Sequence, residues 1–222
     1  MRKSYYPIFT DLQGRRCVVI GGGAIAQRKV TTLLQYGADI TVISPTATRR
    51  LLAYATQGRV RYQRRRFRPA DLRGAWLVYA STNEERINQL VHETAARLRI
   101  FANVVDQPQR CSFIAPAIMR RGDLTIAIST GGASPTVAKR LRREFARGIG
   151  EEYPRLLRLL AGLRAAAKRQ LPRYNDRKRY FSELVEGRVF QLVRAGDTVA
   201  ARREALKLLK HQTSSNGHGP AR

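Results

Sequence analysis

A short β-branched run, Arg16-Cys17-Val18-Val19-Ile20, ends in Gly21-Gly22-Gly23 and passes directly into a helical stretch from Ala24 to Tyr36. Val30, Leu33 and Leu34 form the apolar stripe of that stretch, and Gly37 suits the left-handed position that often ends a helix. Asp39-Ile40-Thr41-Val42-Ile43-Ser44 follows as a second strand. A strand, a glycine turn, a helix and a strand in this order must lay the two strands parallel, with the helix crossing over. The rhythm continues with a helix over 46–56, a strand around Val60-Arg61-Tyr62 and a buried strand Trp76-Leu77-Val78-Tyr79-Ala80. A helix from Asn83 to Leu98 and a strand Ile100-Phe101-Ala102-Asn103-Val104-Val105 complete it. The reading is an α/β protein with a doubly wound parallel sheet over residues 1–113.

Beyond residue 113 the pattern changes. Phe113 to Met119 leads through Arg120-Arg121-Gly122-Asp123 into Leu124-Thr125-Ile126-Ala127-Ile128-Ser129, two strands that need not join the first sheet. Thr130-Gly131-Gly132-Ala133-Ser134-Pro135 then opens a helix, with Ser134 as N-cap and Pro135 at the first helical position. From about 151 to 210 the chain is helical in pattern, broken near Leu171-Pro172 and at Ala195-Gly196-Asp197. These shifts divide the chain into 1–113, a small α+β region 114–149, a helical domain 150–211 and a polar, disordered tail 212–222.

Charge narrows the partners. Lys and Arg number 42 against 16 Asp and Glu, a formal net charge of +26. The surplus is spread over both halves, and arginine supplies 35 of the 42 cations. Such a surface seeks anions, whether nucleic acid, anionic lipid, or a phosphate or polycarboxylate ligand. A codon bias would give the same count. No run approaches 18 apolar residues, which argues against a membrane span, and no apolar segment follows the basic start. Two cysteines, Cys17 and Cys111, build no disulfide framework, and the cytoplasm is the expected compartment.

The pattern Gly21-x-Gly23-x-x-Ala26 sits where a dinucleotide fingerprint must, after a strand and at a helix start. Gly21 allows the tight turn, Gly23 lets the backbone approach a pyrophosphate, and Ala26 permits close helix–strand packing. The acid that usually meets the adenosine ribose is replaced by Ser44-Pro45-Thr46. Ser44 or Thr46 can still bond a ribose hydroxyl, while Arg49 and Arg50 lie near enough in sequence to meet a 2′-phosphate. NAD and NADP both stay open on the residues alone.

Candidates for chemistry are few. His92 falls on a helix and reads as a packing or surface residue; His211 and His218 lie near the end. No cluster has metal-ligand spacing, so no resident metal is expected. Asp106 follows a parallel strand at the edge where doubly wound sheets hold ligands, placing a general base or a simple turn residue there. Ser129 to Pro135 is either an anion-binding loop or an ordinary capped helix start. The tract Arg64-Arg65-Arg66-Phe67-Arg68 reads as a solvated strand edge. No helix-turn-helix, zinc or RNP-type element supports nucleic-acid binding.

Taken together, Tyr6-Pro7-Ile8-Phe9, Val19-Ile20-Gly21-Gly22-Gly23-Ala24-Ile25-Ala26-Gln27-Arg28-Lys29, Asn103-Val104-Val105-Asp106 and Ser129-Thr130-Gly131-Gly132-Ala133-Ser134-Pro135 resemble the siroheme synthase family. The likeness is to its precorrin-2 dehydrogenase/sirohydrochlorin ferrochelatase module and runs over about 5–210; the expectation is a protein without the uroporphyrinogen methyltransferase module that some members carry. The resemblance implies a Rossmann domain, a small dimerisation region at 114–149 and a helical C-terminal domain, assembled as a homodimer. It implies NAD-dependent oxidation of the tetrapyrrole precorrin-2 to sirohydrochlorin, with Fe²⁺ insertion in many members and dehydrogenation alone in others. Asp106 takes the place of the family's catalytic aspartate. Gly21, Gly22, Gly23, Ala24 and Ile25, with Ser44, Pro45 and Thr46, take the places of its nucleotide contacts, which favours NAD. Asn103, Ser129 and Thr130 fall at its substrate side, and Arg28, Arg120 and Arg121 are the arginines placed to grip acetate and propionate groups. A nucleotide-sensing or nucleic-acid-binding protein on the same domain is the rival reading.

Overall fold

The computed structural model describes residues 4–216. Two compact units emerge, one reaching to Ala115 together with Gly131–Ala133, the other taking Pro116–Thr130 and the chain from Ser134 onward.

The first unit is built from β1 (Arg16–Ile20), α1 (Ala24–Leu34), β2 (Asp39–Ile43), α2 (Arg49–Thr56), β3 (Arg61–Gln63), β4 (Leu77–Ala80), α3 (Glu85–Arg97) and β5 (Phe101–Val104). All five strands are parallel, in the order β3-β2-β1-β4-β5. Because side chains alternate along a strand, β1 feeds two cores at once. Cys17 and Val19 join Ile40, Val42 and Leu77 under Val30 and Leu33 of α1 and Leu51 of α2. Val18 and Ile20 join Val78, Ala102 and Val104 under Val91 and Ala95 of α3. Burial on both faces is why the central strands read as unbroken apolar runs. Deep placement pushes the Cys17 thiol up to about 11, with Asp39 adding to the effect of burial. Neither cysteine is in a disulfide.

Two helix starts differ from the sequence expectation. α2 begins at Arg49 because Thr48 caps it, its hydroxyl accepting from the Leu51 amide at 3.3 Å. α3 begins at Glu85, because Thr82 and Asn88 lock the preceding turn: the Asn88 amide donates to the Thr82 carbonyl at 3.0 Å, and the Thr82 hydroxyl to Asn88 Oδ1 at 2.9 Å. Beyond β5 the chain folds back along that edge strand. The Ser112 amide donates to the Ala102 carbonyl at 2.9 Å, and Ser112 Oγ accepts from the Ala102 amide at 2.8 Å. Cys111 Sγ donates to the Val104 carbonyl at 3.2 Å.

In the second unit β6 (Ala117–Arg121) and β7 (Leu124–Ile128) form an antiparallel hairpin. α4 (Pro135–Gly148) starts as expected, with Ser134 Oγ accepting from the Val137 amide at 3.2 Å and Pro135 at the first position. α5 (Glu152–Gln170), α6 (Tyr174–Glu186), α7 (Arg188–Arg194) and α8 (Thr198–Asn216) bury Leu163, Tyr180, Leu184, Val193, Ala205 and Leu209 in one core. Tyr180 reaches across it to donate to the Ala205 carbonyl at 2.9 Å. The break at Gly187 was not expected. A side chain there would place Cβ 2.6 Å from the Glu183 carbonyl oxygen, so only glycine lets the chain turn between α6 and α7. α8 runs to Asn216, which makes helix of residues 212–216 that the sequence assigns to a disordered tail; the rest of that tail lies outside the described residues.

The tract after β3 is less solvated than its composition suggests. Phe67 is buried in the core, and Arg65 donates to both oxygens of Asp71 at 2.6 and 2.8 Å. Burial works against the Asp71 carboxylate, but the Arg65 guanidinium and the Arg68 amide outweigh it and hold its pKa below the usual value. A carboxylate depressed on folding stabilises fully above its unfolded pKa of about 3.9 and ceases to do so as pH falls through the lower folded value. Asp71→Asn is therefore expected to cost about 1–3 kcal/mol at neutral pH, where one side of a charged hydrogen-bond set is lost. Denaturant unfolding measured from pH 7 down to pH about 2 should show the gap between variant and wild type closing on the acid side only.

Candidate active site

Strand order reverses between β1 and β4, and at such a switch point the loops leaving the C-terminal strand ends diverge and open a crevice. Four exits meet this edge: Gly21–Gly23 after β1, Ser44–Thr46 after β2, Ser81 after β4 and Val105–Asp106 after β5. Main-chain bonds tie them together. The Gly21 amide donates to the Ile43 carbonyl at 3.0 Å, that of Ser81 to Ile20 at 2.8 Å, and that of Thr48 to Gly22 at 2.9 Å.

The three glycines differ in what they permit. Gly21 has φ 114°, and a Cβ there would lie 2.4 Å from the Ser81 carbonyl oxygen. A Cβ on Gly22 would lie 1.8 Å from the Thr46 carbonyl oxygen. Gly23 has an ordinary φ of −80° and open space where its side chain would be. Gly21 and Gly22 therefore serve the fold, while Gly23 keeps clear the space in front of α1. No side chain caps α1 and no acid stands in its first turn, so the amides at Ala24 and Ile25 face an uncontested positive helix end.

A dinucleotide fits this edge on three counts. The loop leaves backbone donors without a capping side chain. Ser81 Oγ is buried and has no hydrogen-bond partner among the described residues, a polar atom at the switch point that a ligand crossing from β1 to β4 would satisfy. Ser44 is buried with its carbonyl held by the Tyr62 hydroxyl at 2.9 Å, and Pro45 and Thr46 beside it are exposed. Arg50 Nε donates to the Tyr54 hydroxyl at 2.9 Å.

Asp106 stands exposed in the turn after β5 with φ 60°, a left-handed conformation that costs most side chains about 1–2 kcal/mol and that Asp tolerates better than most. The Gln107 amide closes the turn onto the Val104 carbonyl at 3.2 Å. Lys29, which the sequence reading passed over, is half-buried with Nζ 4.8 Å from the centre of the Tyr79 ring. Burial and then Arg28 lower its pKa, against the attraction of Cys111 and Asp106. Ser81 and Lys29 carried no sequence signal beyond their places, one at a strand end and one on the first crossover helix.

The other expected site residues either make main-chain bonds or stand exposed. The Asn103 side chain is buried and donates to the Phe113 carbonyl at 3.0 Å, which secures the return segment. Arg120 and Arg121 alternate along β6 and so point to opposite faces of the hairpin. Arg121 donates to the Ala146 carbonyl at 2.8 Å and to Glu151 at 3.3 Å, closing the end of α4; Arg120 donates to the Gly122 carbonyl at 3.3 Å. Thr130 Oγ1 lies 3.1 Å from both the amide and the carbonyl of Ser134, bracing the start of α4, while Ser129 is exposed. Arg28 is exposed on α1. His92 Nδ1 lies 3.0 Å from the Arg110 carbonyl, a packing role as expected.

Fold and edge define a dinucleotide-binding domain of the Rossmann kind followed by a hairpin and a helical unit. Three family models match in the same order: a putative NAD(P)-binding domain at 8–117, the sirohaem biosynthesis protein central region at 121–147 and the sirohaem synthase dimerisation region at 152–209. The chain belongs to the sirohaem synthase family. Siroheme synthase 1 of Aeromonas salmonicida (strain A449) is 37% identical over 96% of this chain and 46% of its own length. Siroheme synthase of Thioalkalivibrio sulfidiphilus (strain HL-EbGR7) is 37% identical over 93% of this chain and 42% of its own. The chain thus spans under half the length of these relatives. The solved structure of SirC, a precorrin-2 dehydrogenase, is 27% identical and matches 93% of this chain and 100% of that one at a TM-score of 0.74. The model named for the dimerisation region spans α5, α6, α7 and most of α8.

Gly22→Ala and Gly23→Ala separate fold from ligand. Gly22→Ala is expected to lower the melting temperature and abolish NAD⁺ binding, since a backbone carbonyl must move. Gly23→Ala is expected to melt with the wild type yet bind NAD⁺ at least about tenfold more weakly, its methyl intruding on the pyrophosphate. Thermal melts and calorimetric NAD⁺ titration read both, and equal melting losses in the two variants would contradict the assignment.

Proposed function

We propose that this chain is an NAD⁺-dependent dehydrogenase that oxidises the tetrapyrrole precorrin-2 to sirohydrochlorin. The observation that carries this reading is an exposed aspartate held in a left-handed turn at the same sheet edge as a dinucleotide loop, in a chain that aligns with the whole length of a precorrin-2 dehydrogenase. The reaction removes a hydride and a proton from the macrocycle and yields NADH. NAD⁺, when bound, supplies the hydride acceptor.

The chain's own residues do the rest. The backbone of Gly22 and Gly23 and the amides of Ala24 and Ile25 hold the pyrophosphate against the N-terminus of α1. Ser44, Pro45 and Thr46 border the adenosine ribose. The missing acid leaves the choice of nucleotide open on charge alone; the resemblance favours NAD, and Arg50 is already bonded to Tyr54. The Ser81 hydroxyl gains its missing partner from the ligand. Asp106, directly or through a water, accepts the proton that leaves the macrocycle. Arg28 is exposed on α1, open to a substrate carboxylate; the substrate role of Ser129 rests on the resemblance, and those of Asn103, Arg120, Arg121 and Thr130 compete with the main-chain bonds they already make.

An exposed Asp106 also suits the second step that the resemblance implies, taking pyrrole N–H protons as Fe²⁺ enters as substrate. The chain is proposed to act as a homodimer through the region the family uses for that purpose. The proposed compartment is the cytoplasm, where the two unbridged thiols stay reduced. No helix among the described residues is long and apolar enough to cross a membrane.

Anaerobic mixing of the chain with precorrin-2 and NAD⁺ is expected to generate NADH absorbance with loss of the precorrin-2 spectrum. Asp106→Asn, which keeps the left-handed backbone, is expected to slow this by about 100-fold or more while NAD⁺ affinity is unchanged. A variant that turns over at the wild-type rate would remove Asp106 from the mechanism. Adding Fe²⁺ afterwards separates the two-step enzyme, which forms sirohaem, from a dehydrogenase alone.

A further inference from the structure

Lys29 keeps a positive charge where burial disfavours one. It is half-buried on α1, and burial is the first cause that lowers its pKa, with Arg28 next. Cys111 and Asp106 act the other way. Asp106 is felt without contact, since the Lys29 ammonium makes no hydrogen bond or ion pair among the described residues. What it meets is the face of Tyr79, with Nζ 4.8 Å from the ring centre. That ring is fixed in turn: Tyr79 is buried in one core with Val30 and Leu33 of α1, and Phe113 packs on it at 5.4 Å between centres. Covering Tyr79 does not by itself call for a charge. An unbranched apolar side chain would cover the same ring without giving up the hydration of an ammonium.

The place of the charge gives it a use. Tyr79 belongs to β4, in register with Asn103 of β5, the strand whose exit carries Asp106. With the pyrophosphate at the start of α1 and the adenosine ribose at Ser44–Thr46, on the β2 side, the β4 side is left for the nicotinamide half. Lys29 and Asp106 both lie on that side. NAD⁺ and NADH differ in that half alone. Its ring bears a positive charge when oxidised and none once it holds the hydride. An ammonium nearby repels the oxidised ring and leaves the reduced one alone, and partial burial strengthens the effect because less water lies between.

We propose that Lys29 sets the redox preference of the nucleotide edge, its ammonium disfavouring NAD⁺ relative to NADH and so drawing the hydride from substrate to cofactor. The hydrogen leaves the substrate with the C–H electron pair and goes to the ring, whose positive charge is thereby lost, while the proton released goes to Asp106. This use rests on the dehydrogenase reading; the preference itself does not, and it is measured without a tetrapyrrole.

Calorimetric titration of the full chain with NAD⁺ and with NADH reads the ratio of the two dissociation constants. Wild type is expected to bind NADH more tightly than NAD⁺. Lys29→Met, which keeps an unbranched stem on Tyr79, is expected to melt with the wild type and to lower that preference at least about fivefold. Lys29→Arg keeps the charge and is expected to keep the preference. Arg97→Met removes an equal charge from the exposed last turn of α3, which leads into the start of β5 and not its exit, and is expected to leave the preference unchanged. Alkali supplies a second measurement. As pH rises the difference between wild type and Lys29→Met is expected to close, beginning below the ordinary lysine value of about 10.4. Arg28, Tyr79, Asp106 and Cys111 face Lys29 and are present in both proteins, so the difference reads Lys29 alone. Equal preference in wild type and Lys29→Met, or an equal loss in Arg97→Met, would overturn the role. Should Lys29→Met melt early, a wild-type preference that persists in alkali would overturn it, as would wild type that binds the two forms alike or neither. Failure of the dehydrogenase reading is seen separately, as wild type that shows the preference yet forms no NADH from precorrin-2.

Discussion

The nucleotide edge depends on two stretches of main chain lying closer than any side chain permits. Gly21 lies against the carbonyl of Ser81 and Gly22 against that of Thr46, so the exit of β1 is wedged between the exits of the two strands that flank it. Those contacts set the width of the crevice before any ligand arrives, and a ligand then pays little to order it. The open position at Gly23 and the uncapped start of α1 only have meaning because the two residues before them cannot move.

Electrostatics acts on this rigid frame in a local way. A net charge of +26 says that cations outnumber acids, and 16 acids can neutralise the charge of at most 16 of the 42 cations. Where the pairs form they are structural: Arg61 with Asp39 at 2.6 Å, Arg65 with Asp71, Arg110 with Glu85. The surplus that matters for a ligand is the part near the nucleotide edge, where Arg28 stands exposed on α1.

Much of this was legible in the chain itself. The central strands announced themselves because burial on both faces demands unbroken apolar runs, and Ser134-Pro135 marked the start of α4 because capping is a local matter. What escaped is what depends on distance across the fold. Ser81 is an ordinary serine until β1 arrives beside it, and Lys29 a surface lysine until Tyr79 lies beneath it. Asn103 and Arg121 looked like site residues by position, yet main-chain carbonyls distant in sequence claim them. The break at Gly187 was hidden because a lone glycine within a helical pattern is often tolerated, and here the nearness of the Glu183 carbonyl makes it a stop. The start of α3 moved because Thr82 and Asn88 bond each other across six residues.

The return segment after β5 has a consequence for life in a crowded cell. β5 is an outer strand, and an outer strand offers unsatisfied amides and carbonyls to any extended chain that meets it. Here Ser112 answers both the amide and the carbonyl of Ala102, while Cys111 sits on Val104. Two small side chains thus occupy the ladder positions that a foreign strand would need, and this border of the sheet is closed to templated aggregation without a further strand being built.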